Sequence, residues 1–114
     1  MNETILTKKD IIAVNQQFSN GHFDNESSLD YALSHYKQNI SWTKKLAYLI
    51  RAILIDHVFE EGNKRTAALL IKTYAEYEGC KSYDDKIVKT IKTILLKNIV
   101  SIKKIEDMIQ NALK

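Results

Sequence analysis

A chain of 114 residues with 45% hydrophobic content can bury one core and is too short for two domains, so we predict a single domain over residues 1–114. The net charge is only +3, and the lone Cys80 excludes a disulfide framework and a cysteine-bound metal. The first nine residues lack the apolar run of a signal peptide, and no apolar stretch is long enough to span a membrane, which predicts a cytoplasmic protein.

The spacing of apolar residues favours helices throughout the chain. No segment alternates with a period of two, and there is no proline and little glycine, so we predict an all-α fold of about six helices. Thr7 opens the first helix, over residues 8–18, with the pattern of a capping box. Ser27 or Ser28 is expected to cap a second helix that continues to about Tyr36.

Two strongly apolar helices follow and enclose a polar segment. Ser41 is expected to cap a helix from Trp42 to Ile55. The next helix is predicted to include Ala67 to Tyr77 and to close at Gly79. The segment between them, residues 57–66, is therefore predicted to be a short helix-to-helix connection that leads into the second helix.

Two further helices are predicted in the last third of the chain, capped by Asp84 and Ser101. Lys86, Lys89 and Lys92 lie three residues apart and would form a stripe on the first of these helices. Because no arginine or aromatic residue interleaves the stripe, we interpret it as a solvated face and do not expect nucleic-acid binding. Nucleic-acid binding through these lysines would predict an affinity that collapses with added salt.

Residues 57–66 read His-Val-Phe-Glu-Glu-Gly-Asn-Lys-Arg-Thr and are unusually dense in polar groups. Gly62 allows a tight turn, and Asn63 is predicted to be the N-cap of the following helix. A helix start presents unpaired N–H groups and a partial positive charge, so the turn predicts an anion site. Lys64 and Arg65 in the first turn oppose the helix dipole, which suits phosphate binding better than helix stability.

The same segment resembles the signature of the Fic/Doc family, His-x-Phe-x-Asp/Glu-Gly/Ala-Asn-Gly/Lys-Arg. Every specified position is matched, by His57, Phe59, Glu61, Gly62, Asn63, Lys64 and Arg65. Fic adenylyltransferases usually have glycine where Lys64 stands, so this lysine resembles the Doc branch. Gly62 departs from that branch, which has alanine at the position.

A phosphoryl- or nucleotidyl-transfer site has to hold polyphosphate, neutralise its charge and position an attacking hydroxyl. His57 is the candidate general base, and Glu61 offers an oxygen ligand for Mg²⁺. Arg65 is the second catalytic candidate, because its guanidinium can stabilise developing charge. The residues expected to bind phosphate are Gly62, Asn63, Lys64 and Arg65. Phe59 is expected to anchor the loop in the core.

The resemblance also implies the substrates and a target-docking element. ATP would be the phosphate donor, used with Mg²⁺. The chain between the first two helices would form a flap that docks the target protein; its residues are Asn20, Gly21, His22, Phe23, Asp24 and Asn25. A Doc-type toxin of a toxin–antitoxin pair would transfer the γ-phosphate to a serine, threonine or tyrosine hydroxyl of a cytosolic protein such as elongation factor Tu.

Other functions are weighed beside this one. A Fic-type adenylyltransferase would transfer AMP, and a non-catalytic module would only hold a nucleotide or a phosphoprotein. A zinc hydrolase is disfavoured because His57 and the two glutamates after it lack a second nearby histidine.

No serine or threonine is followed four residues later by glutamate, so the self-inhibitory pattern of many Fic proteins is not found in this sequence. The resemblance then implies a separate antitoxin chain as a partner.

Overall fold

The computed structural model describes residues 6–114, which form six α-helices and no strand beyond one isolated bridge. A single 3-10 turn, His35–Lys37, follows the second helix. The helices are α1 (Lys8–Gln16), α2 (Glu26–Ser34), α3 (Trp42–Leu54), α4 (Asn63–Tyr77), α5 (Asp84–Leu96) and α6 (Ile102–Ala112). The predicted all-α fold of about six helices is confirmed. Residues 1–5, which belong to the segment searched for a signal peptide, lie outside the described range.

Three helix starts have the capping residues that the sequence predicts. The Thr7 hydroxyl accepts from the Asp10 N–H, and the Asp10 carboxylate accepts from the Thr7 N–H at 3.0 Å, which completes the capping box. The hydroxyls of Ser41 and Ser101 each accept from the N–H group three residues later. These bonds satisfy backbone donors that a helix start would otherwise leave unpaired.

Three predicted caps are wrong, and they belong to α2, α4 and α5. Asn25 precedes α2, so Ser27 and Ser28 lie inside its first turn; the Ser27 hydroxyl donates to the Asn25 side chain at 3.0 Å. Tyr83 precedes α5, and Asp84 is its first helical residue. An acidic side chain inside the first turn also stabilises a helix, because it interacts favourably with the helix dipole. The predicted cap residues therefore lie within a few positions of the observed helix starts.

Helix α3 forms the centre of the core. Leu46, Leu49, Ile50 and Ile53 are fully buried, and the helix packs against α2, α4 and α6. The connection from α3 to α4 therefore starts from the centre of the core, and α1 packs beside α4. No helix among residues 6–114 is long and apolar enough to cross a membrane.

Candidate active site

The motif loop, residues 55–62, joins α3 to α4 through two residues in the left-handed region. The φ angle is 53° at His57 and 79° at Gly62. Left-handed backbone costs a residue with a side chain roughly 1–2 kcal/mol, so glycine is favoured at position 62. A Cβ on Gly62 would also lie 3.1 Å from Asn15 Nδ2 and 3.4 Å from Ser19 Cβ. The tight turn predicted at Gly62 is confirmed.

This crowding predicts that Gly62→Ala lowers the free energy of unfolding more than Gly79→Ala does. Gly79 has nearly the same φ, 77°, but a Cβ there would meet nothing within 4 Å. Its alanine variant suffers only backbone strain, about 1–2 kcal/mol, whereas the Gly62 variant adds the displacement of Asn15. Thermal unfolding of the two variants measures the difference, and equal losses would contradict the contact.

Asn63 is the first residue of α4 and not its N-cap, which corrects the prediction; Gly62 occupies the cap position. The Asn63 side chain turns back to the loop, where Oδ1 accepts from the Phe59 N–H at 3.1 Å and Nδ2 donates to the Phe59 carbonyl at 2.8 Å. The Asn63 side chain thereby satisfies both the N–H and the carbonyl of Phe59. The amide closes the loop and does not cap the helix. One hydrogen on Nδ2 remains for a ligand.

A cavity of about 440 Å³ opens at the start of α4, a volume suited to a small molecule. The chemically functional motif residues meet there, since the cavity is lined by His57, Glu61, Gly62, Asn63, Lys64 and Arg65. The remaining lining residues are apolar: Phe18, Leu54 and Leu95. Phe59 does not line the cavity; it is 1% exposed, which confirms that it anchors the loop in the core.

The charged groups of the site have no protein partners among residues 6–114. His57, Glu61, Lys64 and Arg65 are exposed, and their side chains form none of the ion pairs found in that range. The two cations stand in the first turn of α4, where no acid in that turn offsets them. Positive charge collected at a helix start in this way favours an anionic ligand.

The carboxylate of Glu61 suits a metal ion that is coordinated by a nucleotide as well as by the protein. In the described part of the chain, no three His, Cys, Asp or Glu side chains converge on a point where they could hold an ion. Glu61 is a single carboxylate at the edge of the cavity. Mg²⁺ is commonly held by one or two carboxylates together with water and substrate phosphates, so one glutamate is a sufficient protein contribution.

The structure brings the flap, residues 20–25, against the motif loop. Phe23 and Phe59 form an antiparallel bridge, and their rings stack with centroids 5.3 Å apart. The Val58 carbonyl accepts from the N–H groups of Asp24 and Asn25, at 2.8 and 3.0 Å. The flap is thus fixed to the motif loop by backbone bonds and by an aromatic pair, although residues 20–25 are not among those that line the cavity.

Two residues of this region were missed from the sequence. The helix predicted over residues 8–18 includes Phe18, but this residue lies beyond the end of α1, is 36% exposed and forms part of the cavity wall. Asn15 was not singled out, yet it is fully buried and bonds to the motif loop. A signal for Asn15 existed: it follows Ile11 by four residues on the buried face of α1, where an apolar side chain is the usual choice.

The fold and the cavity together define an all-α domain with a polar turn between two helices, where two cations and a carboxylate line a cavity. The Fic/DOC family model matches residues 5–75, which is more than half of the chain and includes the whole motif loop. The chain therefore belongs to the Fic/DOC family. No curated protein and no solved structure matches it. Members of this family are commonly transferases that act on proteins.

Proposed function

We propose that the chain transfers the γ-phosphate of ATP to a hydroxyl group of a cytosolic protein, as a Doc-type toxin. The observation that carries this proposal is one cavity at the start of α4 that is lined together by His57, Glu61, Lys64 and Arg65, whose side chains form none of the ion pairs found among residues 6–114. These groups stand in a chain of the Fic/DOC family. Mere anion binding would need neither His57 nor Glu61.

The polyphosphate would bind at the start of α4. The Thr66 N–H makes the first bond of the helical pattern, to the Gly62 carbonyl at 2.9 Å. The N–H groups of the three residues before it, 63–65, therefore precede the hydrogen-bonded part of the helix and can donate to phosphate oxygens. Arg65 adds a planar bidentate donor, and Lys64 adds a point charge.

His57 would act on the acceptor hydroxyl as the general base. The hydroxyl oxygen attacks the γ-phosphorus while His57 takes its proton, and the bond from that phosphorus to the bridging oxygen breaks, so ADP leaves. Arg65 stabilises the charge that develops on the transferred group. Mg²⁺, with Glu61 as its protein ligand, would neutralise the polyphosphate when bound. The flap would hold the target backbone beside the cavity.

The nucleoside is expected to pack on the apolar residues that line the cavity, among which Phe18 is the exposed aromatic residue. Phe18→Ala should weaken binding of a non-hydrolysable ATP analogue by about 1–3 kcal/mol, the range for loss of one base–aromatic stack. Phe18→Trp should preserve it. Tyr83→Ala, which removes a comparably exposed aromatic ring that is not part of this cavity, serves as the control. Calorimetry showing unchanged affinity in Phe18→Ala would contradict this placement.

A second candidate function is AMP transfer, in which the hydroxyl attacks the α-phosphorus and pyrophosphate leaves. Lys64 supports phosphate transfer, because a lysine in place of glycine fills volume and adds charge where the polyphosphate would approach. Gly62 supports AMP transfer, because the Doc pattern has alanine at this position.

Phosphate transfer and AMP transfer can be distinguished by incubating the protein with a cell extract, Mg²⁺ and ATP labelled at either the α- or the γ-phosphate. Label transferred to protein only from γ-labelled ATP is the expected result. Transfer from α-labelled ATP would establish AMP transfer instead, and Lys64→Gly tests whether this lysine decides between them. Transfer from neither, with ATP still bound, would leave the non-catalytic nucleotide-binding module.

We infer that a separate antitoxin chain restrains this activity. The inference is supported by the sequence itself, in which no serine or threonine precedes a glutamate by four residues; Thr73 and Ser101 precede Glu78 and Glu106 by five residues, one too many. Expression of the chain alone should arrest growth, and expression of His57→Ala should not. Normal growth with the wild-type protein at a confirmed level of expression would argue against a toxin.

A further inference from the structure

Asn15 in the last turn of α1 is completely buried, and its side-chain amide joins three separate segments. Its Nδ2 donates to the Glu61 carbonyl at 2.9 Å and to the Thr66 hydroxyl oxygen at 3.1 Å. Its Oδ1 accepts from the Gly21 N–H at 2.9 Å. One side chain therefore connects the motif loop, the first turn of α4 and the flap.

The three partners require the chemistry of a short neutral amide. The Glu61 carbonyl can only accept, and the Gly21 N–H can only donate, so the bridging group must offer both functions at once. Aspartate would accept from Gly21 but would supply no donor for Glu61. Leucine would fill the space and leave both backbone groups unpaired, at a cost of about 1–3 kcal/mol each.

These bonds fix the backbone at the two positions that the reaction depends on. Glu61 carries the carboxylate expected to hold Mg²⁺, and Gly21, itself buried with φ 76°, belongs to the flap. The flap also contacts the motif loop where Phe23 stacks on Phe59 and through backbone bonds, among them one from the Glu60 N–H to the His22 carbonyl at 3.1 Å. Among these contacts, Asn15 is the one that bonds to Glu61 itself and to the flap at the same time.

We propose that Asn15 is a positioning residue that sets the place of Glu61 relative to the flap, so that the metal-bound phosphate and the acceptor protein are held in register. This inference rests on the proposed function. It predicts that changes at Asn15 alter the Mg²⁺ requirement of the site, an effect that a purely structural asparagine would not have. Partners that orient a metal-binding side chain are typically worth about 10- to 100-fold in metal affinity.

The test is the Mg²⁺ concentration required for half-maximal binding of a non-hydrolysable ATP analogue, measured by calorimetry. Asn15→Asp should raise it by about 10-fold or more. Thr66→Val is the matched control, since it removes one bond of Asn15 and leaves the bond to Glu61 intact; it should lower the melting temperature and leave the Mg²⁺ requirement unchanged. In a Glu61→Gln background, Asn15→Asp should add no further shift, because both changes act through the same carboxylate.

A measurement on the wild-type protein keeps the proposal testable if Asn15→Asp does not fold. Binding of the analogue with Mg²⁺ should slow hydrogen exchange of the Gly21 amide, because Asn15 links Gly21 to Glu61; the analogue without Mg²⁺ should have a smaller effect. An unchanged Mg²⁺ requirement in a folded Asn15→Asp, or no effect of Mg²⁺ on the Gly21 amide, would overturn the role of Asn15. A wild-type protein that binds no nucleotide would instead overturn the proposed function.

Discussion

Replacing His57 by alanine is expected to slow transfer of label from ATP to protein by about 10²- to 10⁴-fold, the usual contribution of a general base. Affinity for ATP should be nearly unchanged, because His57 is assigned to the acceptor hydroxyl and not to the phosphates. The side chain is exposed at the edge of the cavity, so its removal leaves the core intact. Label transfer and calorimetry on the same preparation separate the two effects.

Chemical rescue provides the control for this prediction. Added imidazole can enter the space left by His57→Ala and should restore part of the transfer rate. It should not raise the transfer rate of a variant that is inactive because it does not fold. Transfer by His57→Ala at the wild-type rate would exclude His57 as the base. Loss of ATP affinity together with transfer would indicate that His57 binds nucleotide instead.

Replacing Arg65 by alanine is expected to reduce both nucleotide affinity and transfer, with transfer falling by about 10²- to 10³-fold as for other donors to developing charge. Arg65→Lys should recover part of the affinity and little of the transfer, because an ammonium keeps the charge but not the planar pair of donors. Arg65 is exposed and lines the cavity, so these effects should occur without loss of fold.

Lys72→Ala is the matched control for charge, since Lys72 also lies on α4 but pairs with Asp84 at 3.4 Å and does not line the cavity. Its loss should change transfer little. Equal effects of the Lys72 and Arg65 variants would mean that the net charge of the helix, and not a specific phosphate contact, sustains binding.

The parts of the structure that the sequence predicts are those set by local physics. Apolar spacing placed α3 and α4, and the hydroxyls of Thr7, Ser41 and Ser101 cap their helices as expected. The chemistry of the motif loop also depends on neighbours in sequence, so its groups could be assigned to one turn before any fold was known. In the structure these groups line one cavity at that turn.

The parts that could not be predicted depend on groups that meet only in the folded chain. The bond from Asn15 to Glu61 spans 46 positions, so no local rule reveals it. Asparagine is a common N-cap residue, which led to the prediction for Asn63, but the left-handed Gly62 occupies the N-cap position. The Asn63 amide bonds to Phe59 instead and closes the loop. The predicted first helix includes Phe18, but α1 ends two residues earlier, and Phe18 lines the cavity instead.

The most direct test of the central claim is to map where ATP binds. Titration of the isotope-labelled protein with a non-hydrolysable ATP analogue and Mg²⁺, followed by amide NMR, should perturb residues 57–66 first, together with Phe18 and Leu95. The lysine stripe at Lys86, Lys89 and Lys92 should be nearly unaffected. Perturbation centred on that stripe, or none at saturating nucleotide, would contradict the assignment of the cavity at the start of α4 as the nucleotide site.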